Sequence, residues 1–236
     1  MKFIKKEGEP PRLRQWRLEN QPTPQVLSYE NMPGDVRSEL RERLLAEQGF
    51  LCAYTMLRIK NTVRGHIEHI LPRSRVPERA IDYNNMVYCH PGEDSPRCSY
   101  GAHAKDGALP NPGIFVSPLD PNCESRFAYR LTGEIVARPA TDTAAVRSIE
   151  TLNLKGDTLK NMRRAAILQL PIFRHAPGRL SASEARKRAS ALLRTDGRGM
   201  FAPFAPALHQ FIAAYAKRKE VRELARSGAQ RLKRER

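Results

Sequence analysis

The chain has 236 residues, room for one large domain or one domain with an appendage, and its 40% apolar content is enough for a real core. Lys and Arg number 41 against 25 Asp and Glu, a net charge of +16; a folded chain this basic is suited to a polyanion, nucleic acid before an anionic membrane surface, because each neutralised phosphate releases a condensed counterion. No stretch approaches the ~20 apolar residues of a membrane span, and Met1 to Glu7 carry charge without an apolar secretion segment, so a cytoplasmic protein is expected.

Residues 1–33, rich in Pro, Arg and Gln, read as an extended arm anchored by Trp16 and Leu18. The first clear helix is expected over 35–48. Asp35 serves as N-cap, Val36, Leu40, Leu44 and Leu45 form one apolar stripe, and Gly49 stops it. Short strands are expected near 50–54, 66–71 and 86–89, and 91–113 reads as loop, punctuated by Pro and Gly. Segments 127–129 and 134–136 flank Leu131-Thr132-Gly133 and predict a hairpin. Helices are expected over 142–152 and 158–168. Pro171 and Pro177-Gly178 mark a break, after which composition shifts to Ala and Arg. Residues 174–236 hold 16 basic and 5 acidic side chains, so +11 of the total charge falls there. Phe204, Leu208, Phe211, Ile212 and Tyr215 have helical spacing, and the charged stretch from Lys217 reads as a solvated continuation. The expected organisation is an arm (1–33), a main domain (34–170) and a basic helical extension (171–236).

The chemistry-bearing residues cluster in 66–105. His66-Ile67-Glu68-His69 is followed by Pro72. Asn85 comes sixteen residues past His69, just before Met86-Val87-Tyr88, and Cys89, Cys98, His103 and Lys105 follow. An acid beside a His, then an Asn, then a His near a Lys is the order that a metal-dependent phosphodiesterase of the HNH type needs. Such a site needs a base to activate water, a cation to hold charge on the phosphate, and a group to orient the base.

His69 is the candidate base, since a pKa near 6.5 leaves it mostly neutral at pH 7. Glu68 is the candidate ligand of Mg²⁺ or Mn²⁺, ions that prefer hard oxygen donors. Neighbours in a regular strand face opposite sides, so 68 and 69 converge only if the strand ends there, as Pro72 suggests. Asn85, preferred to Asn84 because an apolar strand starts directly after it, either ligates the metal or orients His69. His103 is the candidate second-His ligand. His66 is either a further ligand or a structural His capping the strand. Arg73, Arg75 and Lys105 are candidate nucleic-acid phosphate contacts. Any His-x-x-His pair alone is weak, because a strand with two solvent-facing His residues looks the same; the ordered set is far more specific.

Four Cys in a reducing compartment point to metal or burial before disulfides. Cys52, Cys89 and Cys98, with Cys123 or His90 as fourth ligand, form a candidate structural Zn²⁺ site. Against it, Thr55 stands where a Cys-x-x-Cys pair would place a ligand, and eight residues lie between Cys89 and Cys98. Buried reduced thiols are the competing reading. The fold class expected is α+β: a ββα-metal (HNH) core embedded in a mostly helical domain, with the basic helical extension behind it.

These residues resemble the HNH endonucleases of retron and Septu antiphage defence systems (PtuB type). The likeness rests on Leu51-Cys52-Ala53-Tyr54, on 66–72, on 83–89, and on Cys98 with Ala104-Lys105-Asp106. It continues through Pro118-Leu119-Asp120-Pro121 with Cys123, Phe127-Ala128-Tyr129 with Gly133-Glu134-Ile135, and Leu152-Asn153-Leu154 with Leu159 and Arg163, so it covers residues 1–170. The resemblance implies an effector nuclease working beside an ABC/SMC-type ATPase. In retron systems a reverse transcriptase with its RNA–DNA product joins them. The implied target is DNA, or host tRNA in some retron systems. By position the family's base falls on His69, its acid on Glu68 and its Asn on Asn85; the chain departs at Thr55, where the family often has a second Cys. Two competing expectations remain: a non-enzymatic nucleic-acid-binding or adaptor module, and a 171–236 segment that docks a protein partner through its Phe204, Leu208, Phe211 and Tyr215 face.

Overall fold

After ten residues without helix or strand, the segment expected to be extended forms a helix, α1 (Pro11–Glu19), in a computed structural model that describes residues 1–108, 114–174 and 180–234. Pro11 suits the first helical turn, where its missing N–H breaks no bond. Leu13 and Trp16 are buried against the main core, whereas Leu18 is 55% exposed and anchors nothing. The stripe Val36, Leu40, Leu44 and Leu45 is the buried face of α2 (Gly34–Glu47), with Asp35 in its first turn and Pro33, not Asp35, at the cap position. Gly49 follows in the left-handed conformation that ends helices without steric cost.

The strand expected over 50–54 is reduced to a single bridge between Leu51 and Arg58. Phe50 and Met56 both adopt positive φ there, which breaks extended backbone. β1 (His66–His69) and β2 (Met86–Cys89) then pair antiparallel, with His66 opposite Cys89 and His69 opposite Met86. All four residues of β2 are buried, and the other edge of this strand is closed by a side chain. Gln48 donates to the Leu51 and Tyr88 carbonyls at 2.7 and 2.8 Å and accepts from the Tyr88 N–H at 2.6 Å, so it pairs backbone groups that no third strand reaches. A four-residue helix, α3 (Ala102–Lys105), interrupts the expected loop; residues 109–113, with Pro110 and Pro112, lie outside the described residues.

A second antiparallel pair, β3 (Phe127–Tyr129) and β4 (Ile135–Ala137), turns through Gly133. A Cβ on Gly133 would stand 2.0 Å from the Lys160 carbonyl oxygen, so no other residue fits without moving backbone. α4 (Thr143–Thr151) is capped by the Asp142 carboxylate, which accepts from the Ala145 N–H. α5 (Asp157–Leu168) carries Arg163 inward, where its guanidinium is buried and donates to the Gly133 and Leu154 carbonyls. The expected break at 171 is a short helix, α6 (Pro171–Arg174); Pro177 and Gly178 lie outside the described residues.

Beyond it α7 (Ala182–Leu192), with a Ser181–Glu184 capping box, packs on α8 (Ala205–Arg234). Ile167, Leu170, Ala185, Ala189, Leu208, Ile212 and Ala216 make a second, smaller core, and Phe204 and Ala207 join α8 to the main one. Gln210 also exchanges two hydrogen bonds with the Tyr129 backbone of β3. The architecture is mixed α+β with two small antiparallel sheets. Among the described residues no helix is long and apolar enough to cross a membrane.

Candidate functional site

β1 alternates, and the alternation divides the site. Ile67 and His69 point to one face, His66 and Glu68 to the other, so Glu68 and His69 do not converge although the strand does end at His69. On the first face, His69 Nε2 lies 2.8 Å from the Ala80 carbonyl oxygen. A carbonyl only accepts, so Nε2 carries the proton and the lone pair is on Nδ1. The Tyr29 ring meets His69 edge-on, 4.9 Å between centroids. Burial pulls the His69 pKa down to about 4; the Ala80 hydrogen bond opposes this, and the charges of Arg73 and Lys105 add to it. The ring is neutral at pH 7.

Asn85 builds this face without touching His69. Its Oδ1 accepts from the Leu71 N–H at 2.8 Å, and its Nδ2 donates to the Leu71 and Arg79 carbonyls, each at 3.0 Å. Buried to 1% exposure and fully engaged, it ties both ends of the 71–79 loop together, one residue from the carbonyl that holds His69. It is neither a free metal ligand nor a direct partner of the base. Asn84 only donates its backbone N–H to Asp82, within the turn that precedes β2.

The opposite face gathers Glu68, His66, His103 and Lys105. Lys105 was expected to contact phosphate. Instead it is buried, donating to Glu68 Oε1 at 2.7 Å and to the His69 carbonyl at 2.8 Å, so both charges are satisfied inside the fold. Burial raises the Glu68 pKa, and the Lys105 ammonium opposes the rise. His66 Nδ1 sits 2.6 Å from the Pro91 carbonyl oxygen, which fixes the proton there and leaves Nε2 bare, 4.0 Å from Glu68 Oε2. His103 stacks on His66 at 5.5 Å, and its Nδ1 accepts the Cys98 N–H at 3.1 Å. In the neutral ring Nε2 of His103 therefore holds the proton and cannot ligate. The expected ranking is thus reversed: His66, not His103, offers the free lone pair beside the carboxylate.

Arg73 pairs with Glu30 and lies 4.6 Å over the Tyr29 ring. Arg75 is exposed, and its side chain has no partner among the described residues.

The four Cys do not gather at one point. Cys52 is held beside Cys89: burial pushes its thiol up, but donation from the Cys89 thiol, the Thr55 hydroxyl and the His90 and Thr55 amides brings it down to about 5. Cys98 turns to the Tyr100 carbonyl and His103, while Cys123 lies against Pro118 near the first residue of the chain. His90 Nδ1 is buried without a hydrogen-bond partner. Among the described residues no three His, Cys, Asp or Glu side chains come together as a metal-holding group.

A cavity of about 710 Å³ lies elsewhere, lined by Arg58, Arg188, Arg194, Leu192, Phe201 and Ile212 among others; none of the residues above reaches it. Tyr29, Glu30 and the Ala80 carbonyl are the participants that sequence reasoning did not find. The first two sit in the Pro-rich arm far from the motif, and a backbone carbonyl leaves no mark in a sequence. No protein-family model matches this chain, and neither does any curated protein.

Proposed function

We propose that the chain is a metal-dependent endonuclease of the HNH type that hydrolyses phosphodiester bonds of nucleic acid, DNA first and tRNA second. The observation that carries this reading is His69: a neutral imidazole at the end of β1, its Nε2–H bound by the Ala80 carbonyl, in a loop clamped by Asn85. That arrangement presets the tautomer a general base needs and leaves Nδ1 to take a proton from water. Water adds to phosphorus, one ester P–O bond breaks, the water proton passes to His69, and the departing alkoxide takes a proton from solvent. Arg73 and Arg75, just beyond the base, supply positive charge to the phosphate backbone.

Glu68 Oε2 and His66 Nε2 fit a divalent ion as one oxygen and one nitrogen donor, with Lys105 neutralising the other carboxylate oxygen. An ion bound there would supply Lewis-acid charge on the face of β1 opposite His69. The ββα reading of β1, β2 and α3 belongs to this proposal. The family resemblance supports its wider setting, an antiphage effector beside an ABC/SMC-type ATPase and, in the retron case, a reverse transcriptase.

In a plasmid nicking assay with Mg²⁺ or Mn²⁺, His69→Ala should lose at least about 100-fold in rate, the usual worth of a general base, while duplex affinity is kept. Full nicking by that variant would refute the assignment. The low exposure of His69 favours a second reading, a non-catalytic nucleic-acid-binding or adaptor subunit, in which case chelator should leave every measured activity unchanged.

A further inference from the structure

Tyr29 and Glu30 pack against the His69 ring and the Arg73 side chain. The Tyr29 ring covers His69 edge-on and carries the Arg73 guanidinium on its face, and the Glu30 carboxylate takes up the Arg73 charge. Arg37 also ties the segment down. It lies 5.0 Å over the Tyr29 ring and donates to the Tyr29, Met32 and Glu30 carbonyls at 2.9, 3.3 and 3.4 Å. His69 is left 6% exposed. A general base must reach a water beside the phosphate, and a ring this little exposed offers it small access.

We infer that Tyr29 and Glu30 form an autoinhibitory plug: Glu30 holds the Arg73 guanidinium in place of a substrate phosphate, and Tyr29 covers His69 until nucleic acid displaces both. The inference rests on the nuclease reading of His69 and Arg73. Carboxylate and phosphate present similar paired oxygens to a guanidinium, so the exchange conserves the charge-assisted contact. The Arg73–Glu30 pair is also weak enough to yield. The Arg73 and Glu30 side chains are 44% and 66% exposed, so the pair is screened by water and salt, and a polyanion outcompetes a single carboxylate.

Two readouts test it separately. Carbethoxylation of His69 by diethyl pyrocarbonate, located by tandem mass spectrometry, reports access to the ring whether or not the protein cuts; plasmid nicking in Mn²⁺ reports the reaction. Glu30→Gln should raise both by about threefold to fivefold, the equivalent of one solvent-exposed ion pair, and Tyr29→Ala with Glu30→Gln should raise both further. Glu42→Gln, the same charge change at an exposed site on α2, should leave both unchanged. An unmoved His69 modification rate in the single and double variants overturns the plug, as does an equal rise in Glu42→Gln. If modification rises but no variant nicks, the nuclease reading falls and the autoinhibitory role with it, leaving only a Tyr29–Glu30 cover over His69; if the wild type nicks while modification is unmoved, the plug falls and the nuclease reading stands.

Discussion

His69 is held out of water, and that has a thermodynamic consequence. Its folded pKa, about 4, lies below the ordinary value of 6.5. Between these values the unfolded chain binds a proton that the folded chain refuses. The stability linked to this group is therefore complete above pH 6.5 and is lost as the pH falls towards 4. At 1.36 kcal/mol per pKa unit, the loss between pH 7.5 and pH 5 is about 2 kcal/mol. Urea unfolding in chelator at both pH values should show wild type losing about 2 kcal/mol more than His69→Gln; parallel losses would mean that the ring is not buried and neutral. What the sequence carries at this scale is identity, not orientation. The order of Glu68, His69 and Asn85 is readable along the chain, whereas the register that sets His69 opposite Met86 and His66 opposite Cys89 is a property of the strand pair. Lys105 shows the same gap: nothing near it in sequence announces that it is buried, because its partner Glu68 is 37 positions away.

At the scale of elements, the loop between β1 and β2 is held chiefly by Asn85. Replacing it with Ala leaves a Leu71 N–H and two carbonyls without their partner inside the fold, a cost of about 2–4 kcal/mol. Asn85→Ala should therefore lower stability by that amount, speed hydrogen exchange at the Leu71 amide, and reduce nicking through a displaced Ala80 carbonyl. Slow exchange at Leu71 in the variant would show that another group holds the loop. Elements with a strong apolar stripe, such as α2, and the β3–β4 hairpin with its Gly turn are legible in the sequence to within a residue or two. α7 is not legible by pattern, because its buried face is Ala182, Ala185 and Ala189, residues too small to stand out as a stripe; only the Ser181–Glu184 capping spacing marks it. α1 is hidden for a related reason, with just Leu13 and Trp16 buried among charged neighbours.

Across the whole molecule the charge is unevenly placed, and the fold separates its packing from its electrostatics. Among the described residues the smaller core ends at Ala216, and the last cross-links from α7 to α8 are the Arg186–Glu220 ion pair and the bond from the Ala182 N–H to Glu223. Val221 and Leu224 of α8 are exposed. Residues 226–236 add five basic side chains and one acid, +4 of the +16, beyond those cross-links. Removing them should leave the unfolding temperature within about 2 °C, since the last described core residue of α8, Ala216, lies ten positions earlier. Duplex DNA affinity should fall, and the slope of log K against log salt should become shallower by about 1 to 4, roughly one unit for each phosphate that the shortened chain no longer neutralises. An unchanged slope would place the binding charge on the body of the protein, near Arg73 and Arg75.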